Sequence, residues 1–598
     1  MELEPFRPLE GWLLPPPLPA LVALLVVNGL RRGGERLART LLGPASEPVD
    51  RASCVVVLLA MICALLHAVA WWGVGLLPFT RVVGTTLLVL GLPGWPRVPA
   101  LPPAESRRER WFSALAIFTA LMLTIAALGP ATDADSRDYH LGVPLDWLNH
   151  GGIHPRADWP MSRVTGLGEL VVLLGLAMGT DCLSALVQAG AVALLMTTLV
   201  AEAPDRTART LGLLYAATTP VLLSLVTSQK PQVLPAVALA LAFITLTRAA
   251  PPSSRQLALA VLCALFAASC KYSMIPPAAL LVGYALVRTR AFPVVGAAAA
   301  TGFLLFLLPL QLRSYLAWGD PLSPLLERFR ENPDPGVVAF AEHLRNHGGP
   351  RSVERLVRLA AELVVPLSSD AHTLGVGVLG VMLVGRERML LLLPATAALI
   401  TLVAGQLNVR FFLEPFWWVA VLVVRHAHGR PRNALLMAMG TQALVVTTVA
   451  LLGAVILGRG MLSPSARDDV MLRHAEGYAQ GRYVDEHVEP DAVLFVGHRL
   501  WATMPRRAYA VGVLSRAHHD SPGPALRAVE DGRGPVYVVR EVSGPTHWLE
   551  PCLGNRVGEP SEIPQALRNP FRESRRTTWE IRPLRLHEPV CRSLLRLP

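Results

Sequence analysis

Apolar runs recur along this chain from Leu18 to Leu457, separated by short arginine-rich or turn-rich segments, and no soluble core accommodates so many of them. About 20 consecutive apolar residues cross the roughly 30 Å hydrocarbon layer of a bilayer as a helix. Only 17% of the 598 residues are charged and 52% are hydrophobic, which excludes a disordered chain and disfavours a soluble enzyme; the 51 prolines follow no collagen period. The pattern predicts an α-helical polytopic membrane protein.

Charge orders the spans. Most of the basic residues behind the net charge of +11 sit in short clusters between apolar runs, as cytoplasmic loops require, so a nucleic-acid partner is not expected. The acidic start MELEPFRPLEGW lacks the basic region of a cleaved signal, and the run Leu18 to Leu30 reads as a retained helix. Arg31, Arg32, Arg36, Arg39 and Arg51 place the next loop inside, as do Arg97, Arg107, Arg108 and Arg110. Further inside clusters stand at Arg206 and Arg209, Arg248 and Arg255, Arg288 and Arg290, Arg386 and Arg388, and Arg425 to Arg432. The alternation gives about 14 spans, with Leu167 to Met178 as a juxtamembrane or re-entrant helix. The segment Pro130 to Thr165 and everything after Arg459 then lie outside. The expected organisation is additional N-terminal helices over 1–110, a membrane core over 111–460 with its outer loop 130–165, and an extracytoplasmic domain over 461–598, in the plasma (inner) membrane.

That last part changes character. Strand-length runs at 492–497 and 535–540 alternate with helix-like segments around 470–481 and 523–530, which predicts a small α/β domain. Cys552 and Cys591 both fall in it, where an oxidising compartment permits a disulfide; two separate buried thiols are the alternative. No CxxC, HExxH or GxxxxGK[ST] pattern occurs, so zinc and nucleotide-loop chemistry lack a sequence basis.

The loop PATDADSRDYHLGVPLDWLNHGGIHPRADWP gathers Asp133, Asp135, Asp138, Tyr139 and His140 directly after an outward span. It reads either as a solvated loop with interfacial aromatics or as a carboxylate site, since acids crowded at a membrane surface repel one another unless a cation joins them. Such a cluster serves as a general base or holds a divalent metal, and both options stay open for Asp133 and Asp135. Of 55 basic residues only two are lysine, Lys230 and Lys271, and both fall at outer ends of spans. Snorkelling explains one such residue readily. With Arg313 and Arg410 there are four cations where the positive-inside rule does not put them, and an anionic phosphate at that surface explains all four.

These segments resemble stretches of the polytopic GT-C glycosyltransferases, the clan of protein O-mannosyltransferases and lipid A aminoarabinose transferases (glycosyltransferase family 39-like). Asp135 to Leu141 is similar to their D-A-L-S-Y-H-L-P stretch, ASCKYS to T-K-Y-T, RSYLAWGDPLSPLL to R-N-Y-L-x-x-G-N-P-x-Y-P, and NVRFFLEP to x-x-R-Y-L-L-P. Asp138 replaces a small residue, Asp320 and Ser323 replace Asn and Tyr, and Glu414 is inserted before Pro415, where it offers Arg410 an i, i+4 ion pair. The resemblance implies a GT-C-like fold and inverting transfer of a sugar from a polyprenyl-phosphate carrier to a glycan, lipid or protein acceptor at the outer face. It implies Asp135 as base, supported by Asp133 and Asp138, with Lys230, Lys271, Arg313 and Arg410 at the donor phosphate, and Tyr139 and His140 positioning substrate. A secondary transporter and a non-catalytic scaffold presenting the C-terminal domain are the alternatives; the first needs ionisable groups near mid-span, whereas those here gather at span ends.

Overall fold

Capping marks where the helices begin. Ser106 and Glu109 form a reciprocal capping box at the start of Arg107–Ala127, Ser253 and Gln256 do the same for Ser254–Cys270, and Glu47 with Asp50 opens Pro48–Trp72. The computed structural model describes residues 6–92, 106–156, 158–346, 349–366, 372–384, 388–497, 501–511, 534–542, 547–565, 575–585 and 587–591; Arg97, Arg386 and the helix-like segment 523–530 lie outside them. Among the described residues, five helices are long and apolar enough to cross a membrane: Pro48–Trp72, Arg107–Ala127, Leu183–Glu202, Phe292–Trp318 and a last one from Gly429 that continues to Met461. Leu76–Gly91, Val233–Leu246, Ser254–Cys270 and Met389–Ala404 are apolar but shorter.

Two expected spans take another form. The first run is part of one helix, Leu18–Leu42, which continues through its arginine cluster; Arg31 contacts Asn28 and Glu35 across single turns, so the cluster lies on helix rather than loop. The run at 373–385 is a 3-10 helix, Val376–Leu383, of eight residues, roughly 16 Å long at 2 Å per residue. Tyr215 donates its hydroxyl to the carbonyl of Gly377 there, 2.8 Å away, and any Cβ at Gly380 would meet that hydroxyl. The run Leu167 to Met178 forms Glu169–Ala177, nine buried residues of about 14 Å, too short to cross.

Val233–Leu246 is buried along its whole length and is the centre of the bundle. Phe243 stacks on Trp418 at 5.2 Å, inside the contact with Leu413–His426. Beyond the last long helix, Pro464–His474 and Tyr478–His487 lead into a five-stranded sheet: β1 Val493–Val496, β2 Arg507–Ala510, β3 Val536–Glu541, β4 Ser561–Gln565 and β5 Arg575–Pro583, in the order β2-β1-β3-β5-β4. β1 runs parallel to β2 and β3, with Val493 opposite Arg507 and Val536, while β5 pairs antiparallel with β3 and β4. The two strand-length runs of the sequence are β1 and β3. Cys552 and Cys591 are joined in a disulfide under this sheet.

Candidate functional site

The segment after Arg107–Ala127 is helical and largely buried rather than a solvated loop. Asp133 accepts the backbone N–H of Ser136 at 3.1 Å and so starts a wide π-helical turn, Ser136–His140, that continues into Leu141–Asn149. A second segment is tied to it: Ser228 donates to Asp133 Oδ1 (3.2 Å), its hydroxyl meets that of Ser136 (3.1 Å), and Ser136 Oγ accepts the N–H of Gln229 (2.9 Å). These bonds fix the two backbones so that the Lys230 ammonium lies 2.8 Å from Asp135 Oδ2 and 3.5 Å from Asp133 Oδ1. Arg410, in the 3-10 turn Val409–Phe412, brings its guanidinium within 3.9 Å of the same Asp135 oxygen.

Lys271 arrives from a third direction, in extended backbone at the end of Ser254–Cys270. Gly166 and Gly168 pack against that helix end; a Cβ on Gly166 would sit 2.3 Å from the Ser269 carbonyl, so only glycine allows the approach. The Lys271 ammonium donates to Gln232 Oε1 at 2.8 Å and lies 5.2 Å from the Phe411 ring centre. Among the described residues it forms no ion pair. Gln232 in turn donates to Glu414 at 3.2 Å, so Glu414 meets this amide instead of forming the Arg410 pair its spacing offered.

The same close approach brings Glu169 to His140. Glu169 Oε1 is 3.0 Å from His140 Nδ1 and its Oε2 accepts the N–H of Gly166 at 2.8 Å. The Tyr139 and His140 rings are 3.9 Å apart and tilted by 40°. Asp138, fully buried, accepts from the indole of Trp159 at 3.3 Å. Asp133, Asp135, Asp138, Tyr139, His140, Lys230, Lys271 and Arg410 all line one cavity of about 1170 Å³, whose far wall includes Val496, Gly497, Ala510 and Val511 at the ends of β1 and β2. Arg156 bridges the segment after Leu141–Asn149 to the sheet, pairing with Asp146 and Asp158 and donating to the Ala508 carbonyl at 3.0 Å.

Arg313 stands apart. It does not line this cavity: its guanidinium donates to the Thr165 carbonyl (2.9 Å) and lies 5.9 Å from the Trp147 ring. The expected donor-phosphate set is therefore brought together in three of its four members.

Electrostatics follow from this packing. Burial acts to raise the Asp135 carboxyl, but Lys230 and Arg410 outweigh it and hold the group well below the usual carboxylate range. Burial, with Arg410 and Lys230 beside it, pushes Lys271 down to about 7. Burial also lowers the His140 imidazole, against the pull of Glu169.

Residues 111–471, more than half of the chain, match the model of the DUF1420 N-terminal domain. The chain belongs to the DUF1420 family. A solved structure, ArnT from Cupriavidus metallidurans bound to undecaprenyl phosphate, aligns with 80% of this DUF1420 chain and 98% of its own at 11% identity and a TM-score of 0.40. No curated protein matches.

Three residues of this DUF1420 site escaped the sequence reading: Glu169, Gln232 and Ser228. Glu169 carries the one visible signal, a carboxylate opening the otherwise apolar stretch ELVVLLGLA. Asp133 and Asp135, the two carboxylates that could share a divalent ion, both lie within ion-pair distance of the Lys230 ammonium, at 3.5 and 2.8 Å. Among the described residues, the group of metal-ligating side chains close enough to share an ion is Asp146, His150 and His154, and there Asp146 is bound by Arg156 at 2.9 Å.

Proposed function

We propose that this DUF1420 protein transfers a sugar, with inversion, from a polyprenyl-phosphate-linked donor to a glycan, lipid or protein acceptor at the outer face of the membrane. In this reading 111–460 is a GT-C-like core of about 14 spans together with the N-terminal helices of 1–110, and 461–598 is extracytoplasmic. One observation carries it. Lys230, Lys271 and Arg410 converge on a single cavity wall, and Lys271 rests on a neutral amide instead of a carboxylate. A half-buried ammonium without an anion is held at a cost, and a phosphate supplies that anion.

The roles follow from charge. The donor phosphate takes Lys271 and Arg410, which stabilise the negative charge that grows on the departing oxygen. Asp135, pinned as an anion, faces the positive charge that develops at the anomeric carbon. Tyr139 and His140 stand beside it. Asp133 and Asp138 hold the segment, through Ser136, Ser228 and Trp159. The chemistry requires no nucleotide sugar.

The test compares lipid-linked sugars and surface glycans by mass spectrometry in cells with and without the gene. The expected result is build-up of a polyprenyl-phosphate sugar and loss of one glycan decoration. Identical profiles, together with no turnover of any polyprenyl-linked donor by the purified protein in nanodiscs, would overturn the proposal and favour the scaffold.

A further inference from the structure

Sugar transfer to a hydroxyl releases a proton, and Asp135 is poorly suited to keep it. Its carboxylate is 2.8 Å from the Lys230 ammonium and 3.9 Å from Arg410, and cations at that distance weaken a carboxylate as a proton acceptor. The neighbouring imidazole is built differently. His140 is 2% exposed and lines the same cavity, its Nδ1 is 3.0 Å from Glu169 Oε1, and its Nε2 has no hydrogen-bond partner among the described residues.

Glu169 is itself fixed, because its second oxygen accepts the Gly166 N–H at 2.8 Å. A carboxylate against Nδ1 keeps the proton there and leaves the lone pair on Nε2. The Tyr139 ring lies beside the imidazole, 3.9 Å away between centres and tilted by 40°. A buried imidazole nitrogen with no partner is costly unless a ligand group fills the place.

We infer that His140, oriented by Glu169, is the proton acceptor for the incoming hydroxyl. The inference rests on the proposed transferase reading and adds to it the residue that takes the proton. The acceptor O–H bond breaks as its oxygen bonds to the anomeric carbon, and the proton moves to His140 Nε2. The bond from that carbon to the phosphate oxygen breaks, its electron pair leaving with the phosphate beside Lys271 and Arg410. Glu169 stabilises the imidazolium, which returns its proton to water when products leave. His140 is the catalytic residue of this step and Glu169 a positioning residue.

The groups facing this imidazole set its titration. Glu169 comes from Glu169–Ala177, Lys271 from the end of Ser254–Cys270, and Asp135 and Tyr139 from its own segment; Arg313, Cys63 and Cys270 interact with Glu169 in turn. Lys271 opposes protonation while Glu169 and Asp135 favour it. Burial lowers the imidazole most and Glu169 works against it, so removing that carboxylate lowers the titration further.

Two arms test this on the full chain in nanodiscs. In turnover of a labelled polyprenyl-phosphate sugar, His140→Gln should lose about 10²–10⁴-fold in kcat and its acid limb. Glu169→Gln should lower kcat with KM little changed and move the limb to lower pH, with Glu169→Asp restoring part of both. A wild-type enzyme that turns over while His140→Gln keeps its rate and limb overturns the inference and leaves the transferase reading standing. In the second arm, diethyl pyrocarbonate labels imidazole nitrogens between about pH 5 and 8, and the His140 peptide is followed by mass spectrometry. Labelling that rises with pH, shifts to lower pH in Glu169→Gln and is blocked by undecaprenyl phosphate supports the inference. A His140 that never labels, or whose profile ignores Glu169, overturns it whether or not a donor is found.

Discussion

The two ends of the helix bundle use the same kinds of charged residue to opposite effect. At one end, Glu202 closes Leu183–Glu202 and accepts from Arg425 at 2.6 and 3.0 Å, while Arg248 binds the same carboxylate. Arg425 spends further N–H groups on the Thr247 hydroxyl and the Ile244 carbonyl, and Arg432 pairs with Asp205 at 2.6 Å. Charge there joins helix ends to one another. At the other end, about 30 Å away along a 20-residue helix, Lys271 stops on an amide and His140 leaves a nitrogen unused, both facing a cavity. The same residue types thus close on carboxylates around Glu202 and line a cavity at the other end.

The sharpest way to break this comparison is Asp135→Asn. It removes the negative charge that the proposed reaction places beside the anomeric carbon but keeps size and one accepting oxygen, and Lys230 keeps Asp133 at 3.5 Å. Transfer should fall about 10²–10⁴-fold, with thermal unfolding and undecaprenyl phosphate binding nearly unchanged. Undiminished turnover in nanodiscs would transfer the role to Asp133 or Asp138.

At the opposite end the effect should be of similar size but in stability. Glu202→Gln leaves Arg248 and Arg425 in a mostly buried place without that anion, and breaking one partner of such a pair costs about 3–5 kcal/mol. Thermal unfolding in detergent should register the loss, while the remaining folded protein binds undecaprenyl phosphate as before. Weaker binding at unchanged stability would mean the two ends are coupled and the contrast is false.

How much of this the chain announces depends on the residue. Lys230 and Lys271 stand out because arginine supplies every other cation, and both do line the cavity. β1 and β3 are legible as short buried runs. β2 and β5 are not: RAYA opens on an arginine, and RRTTWEIRP carries Glu580 within the strand, buried and paired with Arg540 of β3. Glu169 is hidden because its partner stands 29 residues away and meets it through two glycines packed on a third segment. Arg313 misleads in the other direction, since sequence gives which end of a helix it occupies but not which side it faces.

A smaller effect distinguishes the two lysines. Lys271→Met deletes the cation with no carboxylate partner, so undecaprenyl phosphate affinity should drop about tenfold, the weight of one lost charge-assisted hydrogen bond. Without ligand the same change should stabilise the protein. The sign follows from linkage: Lys271 is pushed down to about 7 in the folded chain from an ordinary 10.5, so between these values the unfolded chain binds more protons and wild-type stability rises with pH. The advantage of the methionine variant is then greatest below pH 7 and shrinks up to about pH 10.5. Thermal melts at pH 6 and 9 measure it, and an advantage that grows with pH would show that the ammonium is not held at a cost.

The smallest effect separates cavity-lining cations from those that merely share their end of the bundle. Arg313 donates to the Thr165 carbonyl and packs near Trp147, whereas Arg410 lines the cavity and faces Asp135. Arg313→Gln should thus lower stability through the lost carbonyl bond, about 1 kcal/mol, and leave undecaprenyl phosphate affinity within about twofold. Arg410→Gln should weaken that affinity by tenfold or so and free Asp135 to titrate higher, because one of its two cations is gone. The decisive quantity is the ratio of the two affinities in one nanodisc preparation. Equal losses would place Arg313 at the phosphate after all, through a donor-bound arrangement in which the Thr165 contact is exchanged for the ligand.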